Sequence, residues 1–123
     1  ARRSYNWRRF CDLGVHMCGG SDCPVEKFDV LPNICHAVTR SDNNGAAPWY
    51  PENGVTVDEA VRMFTTEAAY AAFEEQVRGT LAVGKYADLV VLDRDIYAVA
   101  PETIKDVQVE MTVVDGEIVY RRQ

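Results

Sequence analysis

A chain of 123 residues is long enough for one ordinary domain, and a domain near this size buries roughly two-thirds of the surface its unfolded chain exposes. Apolar residues at 47% and charged residues at 26% give the balance of a folded globular protein and exclude an intrinsically disordered one. The net charge of -6, with basic residues gathered only in the pairs Arg2/Arg3, Arg8/Arg9 and Arg121/Arg122, repels phosphate backbones and argues against a nucleic-acid partner.

The chain opens Ala1-Arg2-Arg3 without a methionine and enters a helical pattern at once, so it is expected to be a piece of something longer. Ser4 is placed to cap a helix whose apolar members Trp7, Phe10, Cys11 and Leu13 fall at three- and four-residue spacings, and Gly14 suits the left-handed position that ends it. Val15, His16, Met17 and Cys18 form a brief apolar run that predicts a buried strand ending in Gly19-Gly20-Ser21-Asp22. Asp29 then caps a helix in which Pro32 sits in the tolerated first turn and Leu31, Ile34, Cys35 and Val38 supply an apolar face. From Ser41 to Gly54 turn-forming residues crowd together without periodicity, which predicts a long loop.

Thr56 and Glu59 have the spacing of a capping box, with Val55 and Ala60 as its hydrophobic staple, and the helix they start should run to about Thr65. Thr66 is placed to cap another helix through Ala68, Ala69, Ala72 and Phe73, ending before Gly79. After Gly79 the pattern changes to period two, predicting strands over Thr80–Val83, Ala87–Leu92 and Val107–Tyr120. Asp115-Gly116 predicts a type I′ hairpin that sets Val113 opposite Ile118 and Met111 opposite Tyr120 on one face, with Glu110 opposite Arg121 on the other.

Candidates for chemistry are few. Asp22, at the end of the predicted strand, would project a carboxylate into whatever cleft the strand tops form, and the glycines beside it permit close approach. The same residue before Pro24 also suits a turn or a helix cap. His16 and His36 are the only histidines, too few for the three protein ligands a hydrolytic metal site usually takes, and each reads as a packed or surface residue rather than a ligand. The cysteines Cys11, Cys18, Cys23 and Cys35 contain no C-x-x-C pair and are expected reduced and partly buried, although Cys18 and Cys23 lie close enough to consider a metal pair. Neither a Ser/His/Asp arrangement nor a phosphate-binding loop is present, and the Gly79 to Gly84 stretch opens no helix. Trp49-Tyr50-Pro51 could touch a substrate or pin its own loop. No stretch approaches the roughly twenty continuous apolar residues that cross a bilayer, so the expectation is a soluble, cytoplasmic parent with no membrane partner.

Taken in order, Leu13-Gly14-Val15, Gly20-Ser21-Asp22, Pro24-Val25, Ala37 to Arg40, Glu59-Ala60, Thr65 to Ala69, Gly79-Thr80-Leu81, Gly84 to Leu92 and Val113 to Tyr120 resemble the C-terminal part of the amidohydrolase superfamily, family 3 type. The G-K-x-A-D-L-V-V-L stretch is the most specific element of the set, which covers nearly the whole chain. The resemblance implies an α/β chain plus β structure: residues 1–78 as the last strand and helices of a (β/α)₈ TIM barrel, and 79–123 as part of a β-sandwich. It implies hydrolysis of C–N bonds in a small-molecule amide-type substrate, with one or two divalent metal cations, often zinc. By that likeness Asp22 is the catalytic proton acceptor and a metal ligand, the other ligands lying upstream of Ala1. Gly19 and Cys23 depart from the pattern, which usually carries larger residues there. A piece of this kind is expected to be inactive alone, to bind metal weakly and to self-associate through unpaired edges. Some relatives are named as exoenzyme regulatory proteins, so a non-catalytic interaction module is the competing reading.

Overall fold

A computed structural model describes residues 4–42, 44 and 46–123. The opening Ala1-Arg2-Arg3, with its basic pair, and Asn43 and Gly45 of the predicted loop lie outside the described residues.

Helix α1 spans Trp7–Asp12 and is capped by Asn6, whose side chain accepts the Arg9 N–H at 3.1 Å. Ser4 is therefore not the cap, and the reason is spacing: Asn6 stands immediately before the first helical residue and Ser4 does not. Gly14, at φ 69°, turns the chain away at the end of the helix, as its position implies. Helix α2, Val30–Thr39, begins at Asp29, which accepts the Leu31 N–H, and carries Pro32 in its first turn. Its buried residues Leu31, Ile34, Cys35 and Ala37 form the centre of the core.

Helix α3, Val57–Met63, starts at the capping box expected of Thr56 and Glu59, with both reciprocal hydrogen bonds formed and both staple residues, Val55 and Ala60, buried. It ends at Met63, and α4, Thr66–Ala71, follows after one turn. Thr66 is the first helical residue of α4, and Thr65 holds the cap position, its hydroxyl donating to the Val61 carbonyl of α3 instead. Beyond Ala71 the chain runs through turns, with Phe73 left-handed at φ 59°.

Strands β1 (Leu89–Leu92), β2 (Val109–Val114) and β3 (Glu117–Arg121) make an antiparallel sheet in that order. Asp115 and Gly116, at φ 50° and 82°, build the predicted tight turn, and Val113 faces Ile118 as expected. A bulge between Thr112 and Val113 then shifts the pairing by one residue. Met111 meets Arg121 rather than Tyr120, and Glu110 forms its ion pair with Arg122 at 2.8 Å rather than with Arg121. One extra residue on one strand is enough to exchange the two faces beyond it.

Two expected strands are absent. Residues 15–20 form irregular backbone that belongs to no ladder, and Val15 and His16 are exposed rather than buried. A strand is defined by its neighbours, and no described strand pairs with this segment. Thr80–Val83 forms turn and irregular backbone, with Leu81 and Val83 exposed. The six-residue 3₁₀ turn Pro101–Asp106 lies against α2, placing Ile104 and Val107 in one cluster with Ile34, Cys35, Ala60 and Met63. The Cys35 thiol donates to the Pro101 carbonyl at 3.3 Å across that contact. All four cysteines are free; Cys35 is buried and Cys11 half-buried as small hydrophobes would be, whereas Cys18 and Cys23 are exposed.

Candidate functional site

The segment that carries Asp22 is held by α3 and α4 rather than by a sheet. At its start the His16 ring stacks on Tyr70 with 4.1 Å between centroids, and its Nδ1 lies 2.7 Å from Glu67 Oε2. Glu67 also receives Arg62 at 3.1 Å. The hydrogen bond with His16, then that from Arg62, hold the Glu67 carboxyl below the ordinary glutamate range. Further along, the Gly19 N–H donates to the Met63 carbonyl at 2.9 Å. The segment then turns: Asp22 is left-handed at φ 53°, a conformation Asp tolerates better than most residues, and a cis Cys23–Pro24 bond follows. The Val25 N–H donates to the Asp22 carbonyl at 2.9 Å and the Glu26 N–H to the Ser21 carbonyl at 3.2 Å, closing the turn. The Asp22 side chain stands exposed at its apex.

Two cavities flank this region. One, of about 240 Å³, is lined by Cys11, His16, Met17, Glu59, Arg62 and Glu67 among others. The second, of about 470 Å³, runs between α4 and β1, past Phe64, Ala68, Ala72, Arg78 and Leu89. Asp22 lines neither of them. In the first cavity burial pushes the Cys11 thiol up, so it is protonated and packs as an apolar group rather than acting as a nucleophile. Among the described residues no three His, Cys, Asp or Glu side chains come together as a metal-holding group. The residues around Asp22 therefore do not by themselves fit a divalent cation, and the Cys18/Cys23 metal pair gains no third donor.

The other sequence candidates have structural partners. Arg40, left-handed at φ 60° after α2, lies between the rings of Trp7 and Trp49, its guanidinium carbon 4.5 and 5.1 Å from their centroids. Arg40 Nε donates to the Trp49 carbonyl and the Trp49 N–H to the Arg40 carbonyl, so Trp49 pins its own loop against α1. His36 is half-buried on α2. Sequence reasoning singled out neither Glu67 and Tyr70, which grip His16, nor Phe64, whose ring lies against Gly19.

Residues 1–120 match the family model described as the amidohydrolase family. Similar proteins include YtcJ of Bacillus subtilis, named as an amidohydrolase, 33% identical over 98% of this chain and 23% of its own length. They also include the N-substituted formamide deformylase of Arthrobacter pascens, 37% identical over 94% of this chain and 21% of its own, and Protein LONG AFTER FAR-RED 3 of Arabidopsis thaliana, 31% identical over 97% and 20%. The crystal structure of an amidohydrolase from Thermotoga maritima superposes with a TM-score of 0.70 at 23% identity, over 96% of this chain and 26% of that one, and so shares the fold. The chain belongs to the amidohydrolase family. It spans about a fifth of the length of the curated relatives it matches.

Proposed function

We propose that this chain is the C-terminal part of a metal-dependent hydrolase acting on C–N bonds other than peptide bonds, in which Asp22 is the proton acceptor for the attacking water. The observation that carries the reading is the family match over residues 1–120, within which Asp22 stands exposed on the turn that follows residues 15–20. On this reading residues 15–20 take the place of the last strand of a (β/α)₈ barrel, whose neighbouring strands other parts of the protein supply. Residues 1–78 then form the end of the barrel and 79–123 part of a β-sandwich. An acceptor at the top of a barrel strand, on a turn with room around it, is where such chemistry is sited in this architecture.

One or two divalent cations, zinc foremost, belong to the whole protein on the same reading. The described residues offer Asp22 and no complete ligand set, so the chain alone is expected to bind a metal weakly and to be inactive. The substrate is a small amide-type molecule, with N-substituted formamides, named for one relative, the first to try. Free thiols at all four cysteines suit a reducing, cytoplasmic setting, and the net charge of -6 disfavours nucleic acid. The exposed apolar side chains Phe28, Phe73 and Val83 favour self-association of the isolated chain. The non-catalytic reading draws support from one relative whose name is not that of an enzyme.

The test uses the full-length protein. Hydrolysis of N-substituted formamides or simple amides should be lost on chelation and regained with zinc, and Asp22→Asn should lower kcat by about 10²- to 10⁴-fold. Full activity in the Asn variant removes Asp22 from the role assigned to it; inactivity of the native protein against every amide tried favours the interaction module.

A further inference from the structure

Gly19 does not adopt a positive φ, so its backbone conformation does not require glycine; space does. A Cβ built there would lie 2.5, 2.7 and 2.9 Å from Cζ, Cε2 and Cε1 of Phe64, closer than side chains approach one another. All three atoms belong to the tip of one ring. The crowding is local to this position, because a Cβ on neighbouring Gly20 would meet nothing within 4 Å. Phe64 closes the end of α3 and packs against the core cluster, and its half-buried ring also lines the cavity of about 470 Å³ between α4 and β1. On the backbone side the Gly19 N–H is bound to the carbonyl of Met63, the residue just before Phe64. Three residues earlier His16 is fixed to Glu67 and Tyr70 of α4.

We propose that Gly19 and Phe64 are a positioning pair for Asp22: the Phe64 ring fills the space that a side chain at 19 would need, and thereby sets the course of the segment that ends in the carboxylate. The inference rests on the reading of Asp22 as proton acceptor. The α3–α4 corner grips the segment through one hydrogen bond and one ring contact at its far end and through His16 at its near end, and it does so without a β-ladder. A methyl group at 19 requires the ring or the backbone to shift, and a backbone displacement near 1 Å at a catalytic group costs about a hundredfold in rate.

The experiment compares Gly19→Ala, Gly19→Ala/Phe64→Leu and Asp22→Asn in the full-length protein, by steady-state kinetics and by amide hydrogen exchange over residues 19–23. Gly19→Ala should lower kcat about a hundredfold at nearly unchanged KM and speed exchange in that peptide. Phe64→Leu removes the three crowding ring atoms, so the double variant should recover most of both. Native kcat and exchange in Gly19→Ala, or a double variant no better than the single one, overturns the proposal. Full activity in Asp22→Asn would instead sink the acceptor reading, and the exchange data would still decide whether Gly19 and Phe64 set the segment's course.

Discussion

Glu59 does two jobs with one carboxylate. It accepts both Nη1 and Nη2 of Arg8 at 2.5 Å, tying α1 to α3, and its Oε2 also accepts the Thr56 N–H and hydroxyl at 2.8 and 2.9 Å. The Arg8 hydrogen bonds, ahead of those from Thr56, hold its carboxyl down from the ordinary 4.5 to about 2. Because the folded value is depressed, the stabilisation is fully present above pH 4.5 and is lost as the pH falls toward 2. Glu59→Gln keeps hydrogen-bonding capacity toward Thr56 but not the ion pair. It should cost on the order of 1 kcal/mol at neutral pH and flatten the fall in urea midpoint on the acid side, relative to the native protein. An equally steep acid fall in the Gln variant would show that another carboxylate governs it.

At the scale of elements, the 3₁₀ turn against α2 and the β2–β3 hairpin carry the C-terminal part of the chain. Ile104 is completely buried between that turn and α2, so Ile104→Ala should cost about 2–5 kcal/mol, measured by urea denaturation. The hairpin turn is braced from outside: Asp88 accepts the Asp115 N–H at 2.8 Å, and the Gly116 N–H donates to the Ala87 carbonyl at 3.2 Å. Gly116 has open space around it but a φ of 82°, so Gly116→Ala strains the backbone without a clash and should cost about 1–2 kcal/mol. A neutral substitution there would mean that the turn relaxes to another type. The bulge beside Val113 adds twist to an edge strand whose five residues are all exposed, a feature that discourages further strands from pairing with β3.

Over the whole molecule, one core gathers residues from α2, α3 and the segment 96–107, while large apolar side chains elsewhere remain in water. Phe73 is 91% exposed and Phe28 84%. The chain spans about a fifth of its relatives' length. Expressed by itself, the chain should therefore elute and scatter light as a species larger than a 123-residue monomer. A compact monomer with native-like stability would show that these surfaces need no cover.

What the sequence determined by itself was local. The Asp29 cap, the Thr56/Glu59 box with its staple and the Asp115-Gly116 turn were all readable, because each is closed by hydrogen bonds or dihedral preferences within about four residues. The family, too, was legible in the ordered set of short motifs. Tertiary structure alone decided the rest. Residues 15–18 have the composition of a buried strand, but a ladder needs a neighbour and no described strand pairs with them. His16 finds Glu67, and Arg8 finds Glu59, each 51 positions away, and the ring at Gly19 comes from the end of α3. Side-chain periodicity encodes which face of an element seeks burial; which distant residue meets that face is set by how the elements pack, and no short window of sequence carries that.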